Sequence, residues 1–397
     1  MRDQQSTRRK TLKYLGTAVS ATALAGCGGD GGDGGDGSSS GSDGGDGGSG
    51  GSDGGDGSSG GSDGGDGGSS TEGSQQEFEL VWTDHFPPGD FRPLDVTSRR
   101  FMDAVEEKSG GQVTFDYRPG GELGGSDQTM SLVQSGAADV GHIVPSYYSD
   151  IVPYTPVGDL PAMGQDILPP SKAIHDLLMP HRDGQLAEVD WEPQGIRPLL
   201  TNVSGQYNVA SAVGPIETAE DLEGLNVRTG GGPAAAQAQA LGASPVNMGA
   251  AEIYQAFERG TIEADMNGYE IWEGFGIYEV LEHVTRNTPL VRNTLFEGIN
   301  LDTWNSLPDD MQELFIEESN KNPKSFADAL SKYAEEATVR FEEEYDIPVY
   351  ELPSEERSRW EEAQIEGVVE PWIDDKPDSE LADEILTKYQ EGIEEYQ

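Results

Sequence analysis

Asp221-Leu222-Glu223-Gly224-Leu225-Asn226-Val227-Arg228-Thr229-Gly230-Gly231-Gly232 is the stretch from which the fold can be read. Asp221, Leu222 and Gly224 mark the end of a short helical turn. Residues 225–229 alternate apolar and polar side chains and predict a short strand. Three glycines follow, and an Ala-rich helical run opens at Pro233, a favourable first helical position. The order is strand, Gly-rich turn, helix. Arg228 falls at the C-terminal end of the strand, where open α/β sheets place their ligands. Arginine is scarce, 16 residues in 397. Beside backbone free of side chains, one such residue can hold a planar anion through two parallel hydrogen bonds. The alternative is an arginine paired with one of the chain's many carboxylates.

The pattern on either side continues the alternation. Residues 78–82, 113–117 and 138–144 read as strands, with helices over 91–108 and 127–134 between them. That is a βαβαβ start, hence a mostly parallel sheet. A Pro-rich passage over 145–170 leads to a helix at 171–179 and strands at 196–202 and 207–210. Beyond the Arg228 unit come a strand at 245–248, a helix at 250–259, a strand at 263–267 and a helix at 270–281. Strands are expected over 284–300. Residues 308–346 read as a Glu-rich helix pair interrupted by Pro323, before a strand near Val349 and further helices.

The first 27 residues are an address. Arg8-Arg9 precede a weakly apolar run over 14–25 that is too short to span a bilayer. Leu24-Ala25-Gly26 stand before Cys27, the only cysteine. The segment resembles a twin-arginine export signal with a lipoprotein cleavage box, which makes Cys27 the site of lipid attachment. Residues 28–76 are almost all Gly, Ser and Asp in a loose repeat, with nothing apolar to bury. As a flexible coil they span roughly 35 to 42 Å, a tether between anchor and folded part. Their Asp spacing matches no calcium loop. The folded part, 77–397, carries 62 acidic and 20 basic side chains, a net of −42. That balance argues against nucleic acid as a partner and suits a surface working in concentrated salt.

Catalytic patterns are missing. There is no phosphate-binding loop with its lysine, no dinucleotide glycine fingerprint and no Gly-x-Ser-x-Gly elbow. The histidines, His85, His142, His175, His181 and His283, lack metal-ligand spacing and read as structural. No metal and no cofactor is expected, and the chain is not expected to be an enzyme.

Several segments, in order, resemble one family: Val105 to Gly111, Pro119-Gly120-Gly121-Glu122-Leu123-Gly124-Gly125, the Asp221 to Arg228 stretch, Leu241-Gly242-Ala243-Ser244-Pro245, Glu252 to Gly260, Tyr278-Glu279-Val280 and Trp304-Asn305-Ser306-Leu307-Pro308. They resemble the solute-binding proteins of TRAP transporters, the DctP family, over about residues 78–350. The resemblance implies an α/β, two-lobed periplasmic-binding-protein-like (Venus-flytrap) fold with crossing strands and a long connecting helix. It implies a first lobe of 77–203 plus 288–332 and a second of 204–287 plus 333–397. It also implies a small organic acid in the cleft, hinge closure, and delivery to membrane subunits of a sodium- or proton-driven transporter.

Carried over by position, Arg228 matches the arginine that holds the substrate carboxylate. Asn267 matches the asparagine of the family's Asp-Gly-Gln-Glu-Asn-Pro segment, or is simply a turn residue before Gly268. Tyr207 stands where many members carry a second arginine, which weakens a dicarboxylate ligand and favours a monocarboxylate. His85 and Tyr147 occupy strand ends facing the cleft, and Glu270 and Trp272 are further candidates. The expected protein is a lipid-anchored receptor on the outer face of the cytoplasmic membrane. The rival readings are an exported hydrolase or lyase and a surface lipoprotein with no role in transport.

Overall fold

The computed structural model describes residues 76–89, 93–161, 166–205 and 207–397. The export signal, Cys27 and nearly all of the tether lie outside the described residues, as do Phe91 and Gln206. In chain order the elements are β1 (Phe78–Thr83), α1 (Pro93–Lys108), β2 (Val113–Arg118), α2 (Thr129–Gln134), β3 (Val140–Ile143), α3 (Leu168–Leu178), β4 (Ile196–Val203), β5 (Asn208–Ser211) and β6 (Asn226–Thr229). Next come α4 (Gly232–Ala240), β7 (Ser244–Asn247), α5 (Ile253–Glu258), β8 (Ala264–Asn267), α6 (Tyr269–Gly274), β9 (His283–Arg286) and β10 (Thr294–Asn300). The chain ends with α7 (Leu301–Ser306), α8 (Asp309–Ser319), α9 (Asn322–Glu343), β11 (Val349–Glu351), α10 (Ser354–Gln364), α11 (Glu370–Asp374) and α12 (Ser379–Glu395).

Two sheets form the centres of two lobes. The first has strand order β2-β1-β3-β10-β4 and the second β11-β9-β5-β8-β6-β7. The expected βαβαβ start is present: β1 pairs in parallel with β2 and β3. Both sheets are nevertheless mixed, because β10 runs antiparallel to β3 and β4, and β5 antiparallel to β8 and β9. The cause is the double crossing. The β4–β5 segment leaves the first sheet for the second, and β9–β10 returns. The two segments therefore pair head to tail in each sheet. Where they cross they stay hydrogen-bonded, Ser204 N–H to the Asn293 carbonyl at 2.9 Å and Tyr207 N–H to that of Val291 at 3.0 Å. All seven residues of β10 are buried, as suits a strand covered on both faces.

The long connection is α9, 22 residues and about 33 Å. Pro323 opens this helix rather than interrupting it; it stands in the first turn, where a missing N–H costs nothing. One flank of α9 packs on α1, α3 and β4, the other on α6 and β11, so it touches both lobes. The helix expected over 270–281 is broken: Gly276 at φ 66° stops α6, and a 3-10 turn over Ile277–Val280 follows.

The expected division gave 333–397 to the second lobe, and for the end of the chain the structure differs. Ala382, Ile385, Leu386, Tyr389 and Ile393 make an apolar stripe along α12. They bury it against Ala173, Ile174 and Leu177 of α3, beside the first sheet. Gly392 allows the close approach, since a Cβ there would lie 2.9 Å from that of Ala173.

Candidate functional site

The C-terminal ends of β6 and β8 and the start of the antiparallel β5 lie at one end of the second sheet, facing the ends of β1 and β3 in the first. Arg228 is the third residue of β6, and its register partner on β8 is Asp265. Asn267 follows two residues later on the same face of β8 and pairs with Asn208 at the start of β5. The Gly-rich turn after β6 needs its glycines: Gly231 and Gly232 have φ of 87° and 53°. They also admit the first lobe. A Cβ at Gly230 would lie 3.4 Å from the Tyr147 ring, and one at Gly232 3.3 Å from the Ser149 hydroxyl.

The Arg228 guanidinium is buried, 2% exposed. Its Nε and Nη2 donate to the Met248 carbonyl at 3.0 and 2.7 Å, and Nη2 also donates to the Tyr147 hydroxyl at 3.3 Å. Nη1 lies 3.5 Å from Asp265 Oδ1. The arginine thus faces the interlobe seam and has a carboxylate neighbour. Burial opposes its charge, but Tyr147, Asp265 and Tyr207 together hold its pKa above the usual value. The Tyr147 contact joins the two lobes, as does the edge-to-face pair of Phe86 and Phe275, centroids 5.8 Å apart.

The other expected residues fall into two groups. Tyr207 enters the site just before β5; burial raises its phenol pKa well above 10 against the pull of Arg228, so it stays a neutral donor. His85 follows β1, its ring 4.3 Å from that of Phe86 and 5.3 Å from that of His142. Glu270, half-buried at the head of α6, lines a narrow gap with Leu94, Ser204, Leu295 and Phe326. Asn267 is buried, and its Oδ1 accepts from the Gly268 N–H at 3.1 Å, so the turn role holds for that atom. Trp272 is not a cleft residue. It is fully buried among Tyr269, Ile271 and Phe341, and its indole N–H donates to Asp265 Oδ2 at 2.7 Å. Asp265 and the Met248 carbonyl were missed. Asp265 had a signal, since it shares a strand face with Asn267; the carbonyl had none.

Two grooves run along the seam. One, about 450 Å³, is lined by Ser146, Tyr147, Gly230, Gly231, Asn247 and Met248, next to the arginine. The other, about 690 Å³, is larger but sets Glu366, Glu370, Asp374 and Asp375 against one cation, Lys376, a poor setting for an anion. Among the described residues no group of His, Cys, Asp and Glu could hold a metal ion.

A model of bacterial extracellular solute-binding protein family 7, DctP, matches residues 92–373. The chain belongs to this family. The DctP-family chain is 34% identical over 226 residues to a solute-binding protein of Sulfitobacter sp. (strain NAS-14.1), covering 56% of this chain and 66% of that one. It thus spans about two thirds of the length of that curated relative. Its fold matches a TRAP solute-binding protein from Rhodoferax ferrireducens T118 in complex with copurified benzoate, at TM-score 0.71 and 21% identity, over 80% of this chain and 98% of that one. It equally matches one from Bordetella bronchiseptica with bound (R)- and (S)-mandelate, at TM-score 0.70 and 21% identity, over 80% and 99%. The crossing strands and long helix expected from the resemblance are therefore those of the family's two-lobed fold.

Proposed function

We propose that this DctP-family protein is the extracytoplasmic receptor of a TRAP-type transporter and binds a small organic monocarboxylate between its lobes. The observation that carries this reading is Arg228, a buried guanidinium at the interlobe seam whose Nη2 reaches across to Tyr147 of the other lobe. Its Nε side is occupied by the Met248 carbonyl, which leaves the Nη1–Nη2 edge for a carboxylate. The ligand takes that edge in two parallel hydrogen bonds and displaces the Tyr147 hydroxyl, which then donates to the ligand. Tyr207, neutral, offers a second donor. Benzoate and mandelate in the two structural relatives are monocarboxylates, which supports the choice of class.

The lobes close on the acid and present it to the membrane subunits. Export by the twin-arginine route and a lipid on Cys27 hold the receptor at the outer face of the cytoplasmic membrane. The test is a thermal-shift screen of organic acids in molar salt. An acid at a hundred times its dissociation constant stabilises the fold by about 2.7 kcal/mol; absence of a shift from any monocarboxylate would count against the reading.

A further inference from the structure

Asp265 has an unusual position for a carboxylate. It is fully buried, 0% exposed, on the floor of the site. Oδ2 accepts from the Trp272 indole N–H at 2.7 Å, while Oδ1 has no close hydrogen bond and lies 3.5 Å from Arg228 Nη1. Three elements face it. β6 contributes Arg228, with Nη1 at 3.5 Å; α6 contributes the Trp272 indole; β8 contributes Asn267. Tyr147 and Tyr207 reach the same guanidinium as phenols. Burial raises the Asp265 pKa, and among the described residues Arg228 is the cation that opposes that rise.

We propose that Asp265 is the resident counter-ion of the carboxylate site, and that its Oδ1 takes up a proton when a ligand carboxylate engages Arg228. The inference rests on the receptor reading above. One guanidinium in a dry cleft cannot neutralise two carboxylates that share it, and the pair then titrates with one pKa strongly raised. Asp265 is the fully buried member and its Oδ1 has no close hydrogen bond, so the proton goes there. Burial already pushes its pKa up, and Arg228 is the chief influence holding it down. The balance is simple: solvent supplies one proton, an O–H bond forms at Oδ1, and no other bond changes. The acid so formed is a donor that the ligand's carboxylate can accept, and the site stays neutral with its monoanion bound. Two consequences follow for specificity. The receptor takes up an anion together with a proton, and it binds more tightly at lower pH.

Calorimetry of the full chain with benzoate and (R)-mandelate, in HEPES and in Tris between pH 6 and 9, tests this. The expected result is uptake of about one proton per ligand, read from the buffer dependence of the heat, with affinity falling by up to about tenfold per pH unit. Asp265→Asn should bind with no buffer dependence. Should that variant not fold, Trp272→Phe removes the 2.7 Å indole hydrogen bond to the carboxylate and should move the pH window upward. An acid bound by the wild type with no proton uptake and constant affinity overturns the proposal, as does uptake that persists in Asp265→Asn. Should neither acid bind, the acid found by the thermal-shift screen takes their place in the same titration, and only if no monocarboxylate binds does the receptor reading fall, and this inference with it.

Discussion

Glu273 is the place to test how the site is held to the long helix. It lies on α6, and its carboxylate accepts from Nε and Nη2 of Arg340 on α9, both at 2.7 Å. The Tyr345 hydroxyl donates to it at 3.1 Å, and the Tyr333 hydroxyl also donates. The carboxylate is 5% exposed and the guanidinium 24%. Glu273→Gln keeps the shape but sets an amide N–H₂ against donors. Breaking a fully buried pair from one side costs about 3 to 5 kcal/mol. Arg340 retains partial solvation, so about 2 to 3 kcal/mol is the better expectation. Some 320 ordered residues lose roughly 0.7 kcal/mol of stability per degree near the midpoint, which gives a Tm lower by about 3 to 4 °C. Circular dichroism melting in molar salt reads it directly. The loss should persist there, unlike that of an exposed pair such as Lys324–Asp328. A shift below 1 °C would refute the clamp.

Other outcomes follow from single groups. His175 donates from Nε2 to Asn320 and accepts from Thr201 at Nδ1; burial pushes its pKa down to about 4. The folded chain therefore binds fewer protons than the unfolded one between pH 6.5 and 4. Stability from this group, about 3 kcal/mol, is full above that window and lost as the pH falls through it. Buried Asp159, raised to about 7, acts in the opposite sense, so the contrast between wild type and His175→Gln is the informative measurement. At 0.01 M salt the screening length, about 30 Å, is comparable with a lobe, and the net charge of −42 on residues 77–397 should unfold the protein. An unchanged Tm from molar to millimolar salt would contradict this. Cys27→Ser should leave the membrane fraction yet bind ligand normally, and a variant still in the membrane would show the anchor lies elsewhere.

Local structure was legible and long-range pairing was not. The strand, glycine turn and helix around Arg228 stand where alternation, positive φ and Pro233 place them. Alternation looks the same in parallel and antiparallel strands, so the antiparallel direction of β10 beside β3 and β4 was not legible from it, and mixed sheets replaced the expected mostly parallel one. Trp272 at a helix head reads alike whether it faces a ligand or a core, and only the packing of Phe341, some seventy residues on, decides it. The α12 stripe was readable as a helix face, but its partner on α3 lies more than two hundred residues away. Asp265 was within reach, since Asn267 two residues later points the same way.

The central claim is that Arg228 holds a carboxylate. Calorimetry of wild type, Arg228→Ala and Arg228→Lys, with an acid found by the thermal screen, tests it most directly. Removing one partner of a buried, hydrogen-bonded charge pair costs on the order of 2 to 5 kcal/mol in binding. Arg228→Ala should therefore weaken binding at least about thirtyfold with the fold intact, and Arg228→Lys should recover little, because an ammonium cannot make the planar double contact. Near-equal affinities in three folded proteins would contradict the account.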